Sequence, residues 1–199
     1  EKASNKNTTK QQGWFFSKKI AIAFAGVIIE IILVFLGITG ALAFNDYQER
    51  NDVLSNVWFA KSYLEATYDM IEELSVSYRA GECVAEDIRF NVTVDETILN
   101  AVIDSDEAWR QINPSAISFV FSVHERVHDL IKVMNNDDFD DAFLSDLLDE
   151  MLYQLNLLIE GLKEVEIYLA GGDEYEMMNR ILVLHQECLE HKSGADLLG

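Results

Sequence analysis

Twenty-five consecutive residues, IAIAFAGVIIEIILVFLGITGALAF from Ile20 to Phe44, contain a single ionisable side chain, Glu30. As a helix this run is roughly 37 Å long, more than the ~30 Å hydrocarbon core of a bilayer. A signal-peptide core is shorter and ends in a small-residue cleavage pattern, whereas Asn45, Asp46 and Tyr47 close this one. A core helix of a soluble protein keeps a polar face, and this run is apolar on every side. The spacing and length predict a retained transmembrane helix over residues 20–45.

Charge sets its direction. Residues 1–19 carry Lys2, Lys6, Lys10, Lys18 and Lys19 against Glu1. The other flank has Asp46, Glu49, Asp52 and Glu65 against Arg50 and Lys61. Basic residues next to a span stay in the cytoplasm, so residues 1–19 read as a cytoplasmic tail and 46–199 as an extracytoplasmic domain. Trp14, Phe15 and Phe16 stand where aromatic side chains settle at the headgroup level.

A carboxylate at membrane depth must be neutral, paired, or turned towards protein or water. Helical spacing puts Gly26, Glu30, Gly37 and Ala41 on one stripe, with Gly40 beside it. Small residues allow another helix to approach closely, and a polar side chain there can hydrogen-bond across the contact. The stripe therefore predicts a surface for other transmembrane helices, either a second copy or a larger membrane complex. Ion coupling through Glu30 is the sharper alternative, and a carboxyl that snorkels or stays neutral in lipid is the plainer one.

Beyond residue 45 the chain has 10 Lys plus Arg and 33 Asp plus Glu, a net charge of −23. That balance argues against nucleic acid, whose phosphates recruit Lys and Arg, and against a second face on an anionic membrane. Pro114 is the only proline. Tyr47, Val53, Leu54, Val57, Trp58, Leu64, Tyr68, Ile71 and Leu74 recur at helical spacing. The first helix is thus expected to run on to Gly81, with a bend near Asn45 and Asp46. Residues 82–94 read as irregular, with a short helix over 96–103. Asn113 followed by Pro114 is a helix start, and the run to Met134 sets Ile117, Phe121, His124, Val127, His128 and Ile131 along one side. Residues 135–138 read as a turn. A further helix spans 142–170, Gly171 and Gly172 end it, and Asp173 opens another running to about His191. The C-terminal GADLLG reads as a frayed tail, with a partner-docking tip as the alternative. The expected fold class is all-α: one transmembrane helix continuing into an acidic up-and-down antiparallel helical bundle.

Two motifs invite an enzymatic reading. His124-Glu125-Arg126-Val127-His128 matches H-E-x-x-H, in which two imidazoles four residues apart face one zinc ion beside a general base. The longer arrangement that supplies a third histidine does not follow. Glu125-x-x-His128 is also half of a di-iron pattern, but Glu187 and Glu190 are followed by His191 one position too late for the other half. The acidic turn over 135–141 lacks the glycine and terminal glutamate of a calcium loop. His124, Glu125 and His128 remain a candidate metal set, no cofactor is expected, and packing accounts for both histidines. Cys83 and Cys188, the only cysteines, are a candidate disulfide in an oxidising compartment.

Residues 26–50 resemble the N-terminal signature of an uncharacterised family of small single-span inner-membrane proteins common in Bacteroidota. The matching positions are Glu30, Ile31, Leu33, Val34, Gly37, Ile38, Ala41, Asn45, Tyr47, Glu49 and Arg50. Ile29 stands where that family places glycine, and Tyr47 where it usually places tryptophan. The resemblance implies a bacterial inner-membrane protein with a periplasmic helical domain, and it adds Asn45 to the partner-facing set. Together these readings point to a non-enzymatic single-pass accessory or scaffold subunit. The alternatives are a periplasmic sensor or ligand-binding subunit that signals through a partner, and a metal-dependent hydrolase using His124, Glu125 and His128.

Overall fold

A computed structural model describes residues 5–92, 94, 96–136 and 140–191, with side chains described from residue 29 onward except that of residue 96. The GADLLG segment, the middle of the acidic turn (137–139) and the side chain of Gly26 lie outside the described residues. The described residues form seven α-helices and one 3-10 turn, with no strand. These are α1 (Asn5–Arg79), α2 (Ala85–Asn91), α3 (Glu96–Ile103), α4 (Asp106–Gln111), α5 (Pro114–Met134), the turn Asp141–Phe143, α6 (Leu144–Leu169) and α7 (Glu174–Glu190). The chain divides into two units, Glu1–Gln48 and Glu49–Gly199, and α1 contributes to both. The helix assignment is continuous through Asn45 and Asp46.

In the first unit, every described side chain from residue 29 to 48 is exposed. Ile31, Leu33, Val34, Phe35 and Leu42 each expose 62–66% of their surface. The Thr39 hydroxyl donates to Phe35 O (2.9 Å), so it needs no water. This helix is long and apolar enough to cross a membrane, and none of its apolar window is buried within the chain.

The second unit begins with a different use of the same helix. Val53, Val57, Ala60, Leu64, Thr67 and Ile71 are buried, alternately four and three residues apart. That spacing produces a narrow seam on one side of the helix, and alanine and threonine at two of its positions allow close approach. Tyr47 and Trp58, predicted to share the apolar face, are exposed instead. Lys61 pairs with Glu166 of α6 at 2.6 Å, and Arg79 pairs with Asp149 near the other end of α6. The hydrogen bond and charge of Glu166 raise the Lys61 ammonium above the usual lysine range, against the opposing pull of burial.

The core of this unit is built on α5 and α6, with α7 packed against both. Leu144, Leu147, Leu148, Met151, Leu155, Leu158, Leu162 and Val165 fill the inward side of α6. Gly161 belongs to that side for a packing reason. A methyl group added there would lie 2.8 Å from Cε1 of Phe119, a buried ring of α5. The missing side chain is what lets α5 approach the α6 backbone. On α5 the buried face comprises Ala116, Phe119, Val120, Val123, Val127 and Leu130 with Ile117 and His124. It is rotated from the predicted side, leaving Phe121 exposed.

Local chemistry fixes the helix ends. Asn113 Oδ1 accepts from Ser115 N at 3.0 Å, and Asp173 Oδ1 accepts from Tyr175 N (2.8 Å) and Glu176 N (3.1 Å). Beyond α6, Gly171 takes a positive φ of 111°; its N–H bonds Tyr168 O while Gly172 N–H bonds Ile167 O, both at 3.0 Å. This paired closure needs glycine at the left-handed position. Two short helices depart from the sequence reading. In α2, predicted to be irregular, Asp87 Oδ2 reaches back to accept from Val84 N (3.2 Å). In α4, Ser105 caps Ala108 N (3.1 Å) while Trp109 Nε1 donates to Ile103 O (2.7 Å).

Replacing Gly161 by leucine should lower stability by about 1–3 kcal/mol through overpacking. Adding Phe119→Ala should recover part of that loss, as read by thermal unfolding of the purified chain. A Gly161→Leu variant as stable as the parent would show that this close approach is not required.

Candidate functional site

Of the predicted partner-facing residues, Glu30, Gly37, Gly40, Ala41 and Asn45 are exposed along α1. Nothing comes within 4 Å of a Cβ placed on Gly37 or Gly40. The backbone is therefore open to close approach on that stripe. Asn45 has an interaction of its own. Gly26 falls outside the described side chains.

Glu49 and Arg50, which match the resemblance, have definite roles at the start of the second unit. Arg50 Nε donates to Leu169 O at 2.9 Å and Nη2 to Tyr168 O at 2.6 Å. Its guanidinium lies over the Tyr168 ring, 5.0 Å from the centroid. The last carbonyls of α6 carry partial negative charge and lack helical donors. A forked cation supplies both needs at once, completing the closure made by Gly171 and Gly172. Glu49 adds a looser contact to Arg110 of α4 at 3.8 Å.

The H-E-x-x-H segment lies in the middle of α5. His124 is buried, His128 is half-buried, and their rings stack with centroids 6.4 Å apart and planes at 20°. Glu125 points to solvent. Among the described residues no group of three or more His, Cys, Asp or Glu side chains is placed to hold a metal ion. The spacing is thus present as sequence, and the described residues bring no third His, Cys, Asp or Glu ligand to it.

A polar cluster that the sequence reading did not identify lies between α6 and α7. Glu150 and Gln154 are buried on α6, where Gln154 Nε2 donates to Glu150 Oε1 at 2.8 Å. The other carboxylate oxygen lies 2.9 Å from Nε2 of His191, the residue capping the C-terminal end of α7. The His191 ring stacks on Tyr153 with a centroid separation of 3.6 Å, and Tyr153 OH donates to Glu187 O at 3.0 Å. Arg126 of α5 reaches Cys188 Sγ at 3.1 Å. Both oxygens of Glu150 are engaged with protein, so the arrangement holds the last turn of α7 against α6. The available signal was a glutamate and a glutamine four residues apart within the Leu147–Leu155 apolar stretch.

Charge states follow from burial. Burial pushes the Cys188 thiol up, with Glu150 adding to the shift and Arg126 opposing it. The reactive form of cysteine is the thiolate, so Cys188 is held in its inert form. Burial also raises the Tyr153 phenol, helped by Cys188, Glu187 and Glu150. Cys83 Sγ lies 3.8 Å from Leu74 O. The two cysteines of the candidate disulfide are free thiols with separate partners.

No family model matches this chain, and neither do any curated proteins or solved structures.

Removing the imidazole with His191→Ala leaves the buried Glu150 short of a partner, at a cost of about 1–3 kcal/mol. The triple variant Glu150→Leu, Gln154→Leu and His191→Ala should be more stable than His191→Ala alone, because neither the carboxylate nor the Gln154 amide that donates to it is then stranded. Equal unfolding midpoints for the two variants would contradict a coupled pair. Maleimide labelling of the native chain should modify Cys83 well before Cys188, with both reacting after unfolding. Equal native reactivity, or a native mass two hydrogens below the reduced mass, would contradict the assignment of a protected thiol and two free cysteines.

Proposed function

We propose that this chain is a non-enzymatic, single-pass membrane accessory subunit. In this reading the span over residues 20–45 packs against partner transmembrane helices and carries an acidic up-and-down helical bundle outside the cytoplasm. The observation that carries it is that every apolar side chain from Ile29 to Phe44 is exposed. Apolar surface on every side of a helix is stable only in lipid or against other apolar helices. The open backbone at Gly37 and Gly40, on the stripe that carries Glu30, favours a helix partner on that side. The orientation rests on the five N-terminal lysines, and the assignment to a bacterial inner membrane rests on the resemblance over residues 26–50. Interaction rather than catalysis is favoured because the two-histidine motif lacks a third ligand among the described residues and the one buried thiol is held protonated.

The test is a photo-crosslinking amino acid placed at Gly37 and, separately, at Thr39, which lies on the other side of the helix. Crosslinks to protein should form from position 37 and be several-fold weaker from position 39. Glu30→Leu should weaken the crosslink from 37 without unfolding the outer domain. Equal crosslinking from both positions, or crosslinks to lipid alone, would contradict a partner-facing stripe.

A further inference from the structure

Helix α7 has an outer face that the other described residues leave exposed. Its inner face is buried through Met177, Ile181 and Cys188. On the other side Tyr175, Leu182 and Leu189 expose 75%, 62% and 67% of their surface. These three large residues are each seven positions apart. Residues at that interval differ by only about 20° around a helix, so they form one continuous stripe. Asn179 and Gln186, also seven apart and exposed, run beside it. The stripe supplies one large apolar residue per heptad, a narrow seam, and along its edge Gln186 Nε2 donates to Glu190 Oε1 at 2.7 Å.

Charge decides which helix. Glu176 and Glu190 share a column with Val183 along one border of the stripe, and Glu174 lies on the other. Glu174 accepts one hydrogen bond from Asn113. Arg180, the only Lys or Arg on α7, follows Glu176 by four residues and so lies beyond that column, on the side away from the stripe. A second copy would bring the same carboxylates and another domain of net charge −23, which like-charge repulsion disfavours. An anionic membrane surface is disfavoured for the same reason. An apolar seam bordered by lysine or arginine complements both features.

We infer that the outer face of α7 is a docking surface for an amphipathic partner helix with an apolar heptad seam and basic flanks. This rests on the accessory-subunit reading and adds the chemistry of the partner. The contact buries Leu182 at its centre, where truncation or a charge weakens binding most. The carboxylates on the borders steer the approach and select against acidic helices.

The test uses the full chain in phosphatidylcholine nanodiscs and a three-heptad synthetic helix with leucine at the seam and lysine at the flanks. Bimane is attached to Leu182→Cys in a Cys83→Ser background, where Cys188 is buried. Adding the helix should give a saturable blue shift at position 182. With the unlabelled parent, peptide anisotropy should report binding roughly tenfold tighter than to Leu182→Glu, a difference of about 1.4 kcal/mol. A purely electrostatic attraction would instead persist or strengthen in Leu182→Glu, since that change adds negative charge. Equal binding to both proteins, equal binding of a scrambled peptide of the same composition, or no binding at all overturns the proposal. So does a bimane signal already blue-shifted in the nanodisc before peptide is added, which would assign the face to lipid. None of these readouts involves Gly37 or Glu30, so this surface can fail while crosslinking in the span succeeds, and the reverse.

Discussion

A helix cannot be apolar on every side in water, and that constraint governs how α1 is used. From Ile29 to Phe44 its side chains cover the whole circumference with hydrocarbon. From Val53 to Ile71 the apolar surface narrows to a seam of alternating four- and three-residue steps. The first pattern calls for lipid or other helices on all sides, and the second for a partner on one side only. The change occurs close to Glu49 and Arg50, where the second compact unit begins.

Arg50 matters because of where it acts. Its two hydrogen bonds end on the carbonyls of Tyr168 and Leu169, at the negative end of the 26-residue helix α6. Further along, Lys61 and Arg79 of α1 pair with Glu166 and Asp149 of the same helix. A domain of net charge −23 thus spends three of its ten cations on one helix contact. At α7 the last turn is held by Glu150, Tyr153 and His191 rather than by apolar packing alone. Such buried polar groups add little net stability but penalise every misregistered packing that leaves them without partners.

Where sequence reasoning succeeded, the signal was local. Asn113-Pro114 and Asp173 mark helix starts whose capping bonds are present, and the predicted bounds of α3 and α5 match those observed. The misses have equally physical origins. Helix α2 depends on an aspartate reaching back to Val84 N, and α4 on a serine cap with an indole bonded to Ile103 O; both are too short for periodicity to reveal. Trp58 and Phe121 fit an apolar period yet face solvent, because the neighbouring helices select which part of a wide apolar arc is covered. Gly161 reads as a weak point in a helix until the Phe119 ring appears opposite it. The polar cluster was hardest to see, since Glu150 and His191 are 41 residues apart and meet only through tertiary packing.

The central claim is that the oily segment of α1 is a permanent anchor with the acidic helices outside the cytoplasm. Alkaline carbonate extraction of native membranes, followed by protease treatment of intact spheroplasts, tests it most directly. The account predicts that the chain stays with the membrane pellet and that its domain beyond residue 46 is digested without lysis. Release into the carbonate supernatant, or digestion only after the membrane is broken, would contradict it.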